Sequence, residues 1–92
     1  MPNFPNPFNP ETWIPFELVT PADVSIHIYG IDGSPVRTLE LGRVPVGIHA
    51  APSDAAYWDG RNSMGEAVAS GAYVYELRAG AYRETRRMVV LK

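Results

Sequence analysis

The sequence predicts an all-β antiparallel sandwich, and three observations predict it. Apolar and polar residues alternate with a period of two along successive stretches of the chain. No stretch sustains the 3.6-residue period of a helix, and glycine, proline, asparagine and aspartate interrupt the alternation at intervals of about 8 to 12 residues. A chain of 92 residues makes one domain. It buries roughly 60 to 65% of its unfolded surface, which leaves little room for a deep catalytic cleft. A composition that is 46% hydrophobic and 20% charged supports a packed core. Without cysteine, no disulfide and no thiolate metal site can form, so sheet pairing and core packing must hold the fold together.

The chain opens with Pro2, Pro5, Pro7 and Pro10, with Asn3, Asn6 and Asn9 between them, a spacing that excludes helix and favours extended backbone and turns. Residues 1–11 therefore read as a lead-in strap, and residues 12–92 as the sandwich. Phe4 and Phe8 are too apolar for a free linker, so at least one of them is expected to anchor the strap. From Thr12, the residues Ile14, Phe16 and Leu18 share a face, and Pro15 predicts an edge strand. Val24, Ile26 and Ile28 repeat the pattern before Asp32-Gly33, a strong hairpin signal. Strands then follow over Val36 to Leu41 and Ile48 to Ala50, with Tyr57 and Trp58 after the break at Pro52-Ser53-Asp54.

In Asp59 to Gly65, Asp59 and Asn62 are placed to accept hydrogen bonds from neighbouring backbone amides. Tyr73, Tyr75 and Leu77 alternate cleanly, and Gly80 turns the chain into a last strand, Tyr82 to Leu91. About seven strands result, the pattern of an immunoglobulin-like Greek-key sandwich. Its predicted core holds Phe16, Ile26, Ile28, Tyr73, Tyr75 and Leu77 around Trp58, whose side chain offers the largest apolar area for bridging two sheets.

Charge is distributed unevenly. Arg78, Arg83, Arg86, Arg87 and Lys92 against Glu84 give the last fifteen residues +4, while the whole chain is −2, leaving −6 for the rest. A basic edge hairpin is either kept soluble by its arginines or docks an acidic partner, which makes Arg83, Arg86, Arg87 and Lys92 the candidate contact residues. No basic run is interleaved with stacking aromatics, so no nucleic-acid partner is expected. No segment approaches the ~20 apolar residues of a membrane helix, and Met1-Pro2-Asn3 is not a secretion signal. The expectation is a piece of a longer exported chain whose signal lies upstream.

The chemistry-bearing residues point away from catalysis. His27 and His49 have no cysteine or second histidine at ligand spacing. Ser70 stands in Ala69-Ser70-Gly71 rather than a nucleophile elbow, so a Ser70, His49, Asp59 assembly has no support. Asp59, Asn62 and Glu66 lack the carboxylate spacing of a calcium loop. The expectation is no enzyme, no metal and no cofactor.

Several motifs resemble the type A C-terminal sorting domains of type IX secretion. These are Pro5-Asn6-Pro7-Phe8-Asn9-Pro10-Glu11-Thr12, the segment Val24 to Gly33, Trp58-Asp59-Gly60-Arg61-Asn62 with Gly65, Ala69-Ser70-Gly71-Ala72-Tyr73, and Arg87-Met88-Val89-Val90-Leu91-Lys92. The central motifs are also similar to the immunoglobulin-like domain of the flagellar hook-capping protein, whereas the proline-rich opening favours the sorting domains. Pro52 to Ala55 look like an insertion relative to that family. The resemblance implies a non-catalytic sorting domain behind an upstream passenger domain in the same parent chain. It implies recognition by secretion-machinery proteins of the outer membrane, and a route through the periplasm to the cell surface or medium. Two alternatives stand beside it: a structural assembly module as in the hook cap, and an accessory carbohydrate- or protein-binding domain displaying Trp13, Tyr29 and Tyr82.

Overall fold

A computed structural model describes residues 2–91, so Lys92, one of the candidate contact residues, lies outside the described residues. The strands are β1 (Thr12–Ile14), β2 (Phe16–Leu18), β3 (Ala22–Gly30), β4 (Pro35–Val44), β5 (Gly47–His49), β6 (Ala56–Trp58), β7 (Gly71–Ala79) and β8 (Tyr82–Val90). Four of them form an antiparallel sheet in the order β4-β3-β7-β8. The opposing layer consists of two short antiparallel ladders, β1 on β6 and β2 on β5. After β4 the chain crosses to the second layer for β5 and β6, then returns beside β3 as β7. The architecture is an immunoglobulin-like β-sandwich.

Alternation explains the layers. On β3, Val24, Ile26 and Ile28 are buried while Ser25, His27 and Tyr29 face outward, and on β7 Tyr75, Leu77 and Ala79 turn to the same interior. The β3–β4 pairing slips at Val24/Ser25 and Ile28/Tyr29, bulges that bend this ribbon over the core. At the hairpin tip, the Asp32 carboxylate accepts from the Ser34 backbone N–H at 3.0 Å and from its hydroxyl at 2.7 Å. Gly33 supplies the positive φ of 87° that the turn requires.

The first predicted strand is corrected by the structure. It is two strands separated at Pro15, with β1 paired to β6 and β2 to β5, and β1 is no bare edge, because Trp13 exchanges two backbone hydrogen bonds with Phe4. Proline marks the point where the pairing partner changes. Two residues beyond Trp13, it falls on the strap side, where a missing N–H costs no ladder bond. The Pro52 to Ala55 segment makes a single tight turn, with the Asp54 and Ala55 amides bonded to the Ala51 carbonyl and the Asp54 carboxylate accepting from the Ala51 N–H.

Trp58 is fully buried between the layers. Phe8 meets its ring edge-on at 5.6 Å between centroids and the half-buried Tyr73 does so at 6.0 Å, while Ile14, Phe16, Leu18, Val68, Met88 and Val90 belong to the same core cluster. The indole N–H, which would be costly to bury unpaired, donates to the Arg61 carbonyl at 2.9 Å. Truncating Trp58 empties this space and removes that bond. Trp58→Ala is therefore expected to cost about 3 to 5 kcal/mol in urea-denaturation free energy. A loss below about 1 kcal/mol would mean that the layers do not depend on this side chain.

Candidate functional site

The proline-rich strap decides which part of the sandwich edge is closed. Asn3 and Thr12 are both buried, and the Asn3 side-chain amide donates to the Thr12 hydroxyl at 3.1 Å while that hydroxyl donates to the Pro5 carbonyl at 2.9 Å. Further along, the Phe8 N–H donates to the Val89 carbonyl and the Leu91 N–H to the Phe8 carbonyl, each at 3.0 Å. The Asn6 side-chain oxygen accepts from the Val89 N–H at 3.0 Å, so the strap lies beside the end of β8 as a short parallel partner. Gly60 seats it: at φ 76° the glycine faces Pro10 so closely that a Cβ would overlap the Pro10 carbonyl oxygen.

These bonds fix the polarity of β8. Its pairing with β7 runs without a register shift from Ala79↔Tyr82 to Gly71↔Val90. Val89 and Leu91 direct their backbone groups to the strap, so Tyr82, Glu84, Arg86, Met88 and Val90 direct theirs to β7. By the same parity Arg83, Thr85 and Arg87 turn their N–H and C=O groups outward, beyond the reach of the strap. Among the described residues no backbone group pairs with them.

The candidate arginines separate along that parity. Arg83 and Arg87 are exposed on the outer face of the sheet, on either side of Thr85. Arg86 is on the inner face, half-buried, and its guanidinium donates to Glu84 at 3.2 Å. Against the desolvation that opposes ionisation, hydrogen bonds from Arg86 and Tyr82 hold the Glu84 carboxyl below its usual range. Arg78, opposite Arg83, is tied to Glu76. The charge bias found in sequence is thus two solvated cations on the outer face and two paired ones.

Below the open part of β8 the layers part. A groove of about 340 Å³ is lined by Phe16, Leu18, Leu77, Ala79, Tyr82 and Glu84, with Glu17 and Val19 at its rim. Tyr82 and Glu84, the inward-facing residues of β8, lean over it because β2 is only three residues long and leaves them uncovered.

The other sequence candidates have local roles. His27 shares a hydrogen bond with Ser25 at 3.0 Å, and His49 bonds to the Pro45 carbonyl and stacks on Phe16 at 4.9 Å. Asp59 accepts from Arg37 at 3.1 Å and from the Arg61 N–H, and Asn62 accepts from the amides of Met64 and Glu66 at 3.0 Å while its own amide donates to the Glu66 carboxylate. The loop oxygens are occupied by the turn itself. Among the described residues no three histidine, aspartate or glutamate side chains converge on a point, and no helix is long and apolar enough to cross a membrane. The aromatics Trp13, Tyr29 and Tyr82 do not meet: Trp13 is held between Phe4 and Tyr57, Tyr29 lies near Arg78 on the other sheet, and Tyr82 is at the groove. Sequence patterning alone marks neither Thr85 nor Asn6 as a residue of this edge. The period-two rule groups Thr85 with Arg83 and Arg87, but it is the strap's bonds to Val89 and Leu91, from Asn6 and Phe8, that reveal which parity faces outward.

No protein-family model matches the chain. It is 41% identical over 58 residues to the basal-body rod modification protein FlgD of Salmonella typhimurium and, equally, to that of Salmonella typhi. That match takes in 62% of this chain, and it spans 23% of the length of these curated relatives. Among solved structures, FlgD from Pseudomonas aeruginosa superposes with a TM-score of 0.67 at 21% identity, over 86% of this chain and 58% of that one. Dimeric latent PorU from Porphyromonas gingivalis superposes with a TM-score of 0.70 at 19% identity, over 98% of this chain and 9% of that one. At such identities the two structures establish a shared fold.

Tyr75, opposite Arg86 in the ladder, offers a test of the interior side of this edge. It is 1% exposed, and its hydroxyl has no hydrogen-bond partner among the described residues. Burial pushes its phenol up to about 12, with Arg86 opposing and Glu84 reinforcing the shift. Since the unfolded phenol ionises near pH 10, stability from this group is intact below about pH 10 and is lost as pH rises toward 12, by roughly 2 to 3 kcal/mol. Tyr75→Phe is expected to be at least as stable as the parent at pH 7. It should also lose about 2 kcal/mol less than the parent between pH 9 and pH 12. Equal alkaline losses in urea titrations of the two proteins would contradict the assignment.

Proposed function

We propose that the chain is a non-catalytic C-terminal sorting domain, read as a folded unit by a secretion machinery of the outer membrane after export of its parent protein. The observation that carries this reading is the construction of the strap. The residues that resemble the sorting-domain opening are the ones that close the fold: Phe8 on Trp58, Asn6 on Val89 and Pro10 over Gly60. A proline-rich opening built into the core makes strap and sandwich one recognition unit. The fold shared with PorU extends over 98% of the chain and so takes in the strap, as expected if strap and sandwich form one unit.

A second reading is favoured by a different observation. The 41% identity over 58 residues with the basal-body rod modification protein FlgD supports a structural assembly module. In either role the domain works by being bound, and the ordinary strand and turn duties of His27, His49 and Asp59 fit that role.

Fusion of residues 3–92 behind a reporter carrying an unrelated export signal, in a host with type IX secretion, separates the two. The reporter is expected at the cell surface or in the medium, and Trp58→Ala is expected to retain it in the periplasm because the folded unit is lost. Retention of the intact fusion in the periplasm of a competent host would overturn the sorting reading in favour of the assembly module.

A further inference from the structure

We propose that the open edge of β8 accepts an extended strand from a partner protein, one that alternates acidic and apolar side chains. The inference deepens the recognition reading proposed above, and rests on it, by stating the chemistry of the segment that reads the domain.

Three features converge on one place. The first is backbone: the outward N–H and C=O groups of Arg83, Thr85 and Arg87 form an unfilled row about 13 Å long, at ~3.3 Å per residue. The strap already shows that this edge takes a strand, because Asn6 and Phe8 pair with it immediately beyond Arg87. The second is shape. An added strand would turn alternate side chains inward, over the groove between Phe16, Leu18, Leu77, Ala79 and Tyr82, whose volume of about 340 Å³ admits apolar groups. The third is charge. On the outer face Arg83 and Arg87 stand exposed and, among the described residues, form no salt bridge of their own, although Arg83 lies in the field of Glu76, whereas Arg78 and Arg86 are bonded to Glu76 and Glu84. A carboxylate on the neighbouring strand would complete them.

The same charges decide against a second copy of this chain as the occupant. An antiparallel pair of β8 edges using all three open residues centres on Thr85, which places Arg83 of each copy against Arg87 of the other. Like charges directly opposite one another are destabilising, so the edge repels itself while it attracts an acidic strand.

The test uses the whole chain and an end-capped heptapeptide alternating glutamate and leucine, with a lysine and leucine peptide of the same pattern as control. Backbone amide shifts on titration should concentrate at Arg83, Thr85 and Arg87 and around the groove, and the lysine peptide should leave them in place. Thr85→Pro removes an outward donor without breaking a bond to β7, and is expected to weaken the glutamate peptide at least tenfold. Arg83→Glu with Arg87→Glu is expected to do the same and to favour the lysine peptide, which keeps the test decisive should the proline variant fold poorly. Shifts elsewhere on the surface, equal binding of both peptides, or binding that ignores these substitutions would overturn the proposal. Its fate is separable from that of the sorting reading. Export that survives both the proline and the charge-reversed variants sinks the edge assignment alone, whereas peptide binding at the edge with no export of the intact fusion sinks the sorting reading alone.

Discussion

Burying the Trp58 indole requires that its one polar atom be paired inside the protein, and that requirement organises its surroundings. The N–H reaches the Arg61 carbonyl, three residues on, which folds the chain back tightly after β6. Gly60 at the centre of that fold carries no side chain, and Pro10 settles against it. Two residues before Pro10, Phe8 lies edge-on to the indole, and its backbone N–H and C=O both bond to the end of the chain at Val89 and Leu91. With no disulfide to join the layers, a cluster of apolar contacts, each weak alone, must close the sandwich. The strap completes that cluster from outside the regular strands.

What the strap covers also defines what it leaves open. Its bonds to Val89 and Leu91 end the free edge on one side, and the hairpin at Gly80 ends it on the other. The open stretch between them is short, flanked by cations and set over an apolar groove. Short, charged edges are how sandwiches avoid pairing with copies of themselves. Here the same device also sets a preference among partners. The surface ion pairs Arg78–Glu76 and Arg86–Glu84 contribute little to stability, since exposed pairs are worth about 0 to 1 kcal/mol, but among the described residues they leave Arg83 and Arg87 without a salt bridge on this edge.

Much of the fold was legible because it is local. Period-two alternation located Val24, Ile26 and Ile28, the run from Tyr73 to Leu77, and the turn at Asp32-Gly33, each within a few residues. Pro15 was legible as an interruption, but not as the place where one partner strand gives way to another, which depends on how β5 and β6 meet it. The candidate edge was less legible still. Composition gathers Arg83, Arg86 and Arg87 into one basic run, whereas the pleat sends Arg86 to the opposite face from the other two. Which backbone groups of β8 open outward is fixed elsewhere, where Asn6 meets Val89 across 83 positions, a distance over which no sequence periodicity speaks.

β8 is closed by the strap at its end and open over Arg83, Thr85 and Arg87. Amide hydrogen exchange of the whole chain, resolved residue by residue, tests it most directly. Slow exchange is predicted at Glu84, Arg86, Met88 and Val90, bonded to β7, and at Val89 and Leu91, bonded to the strap, with fast exchange at Arg83, Thr85 and Arg87. Uniform protection along β8, or fast exchange at Val89 and Leu91, would contradict it.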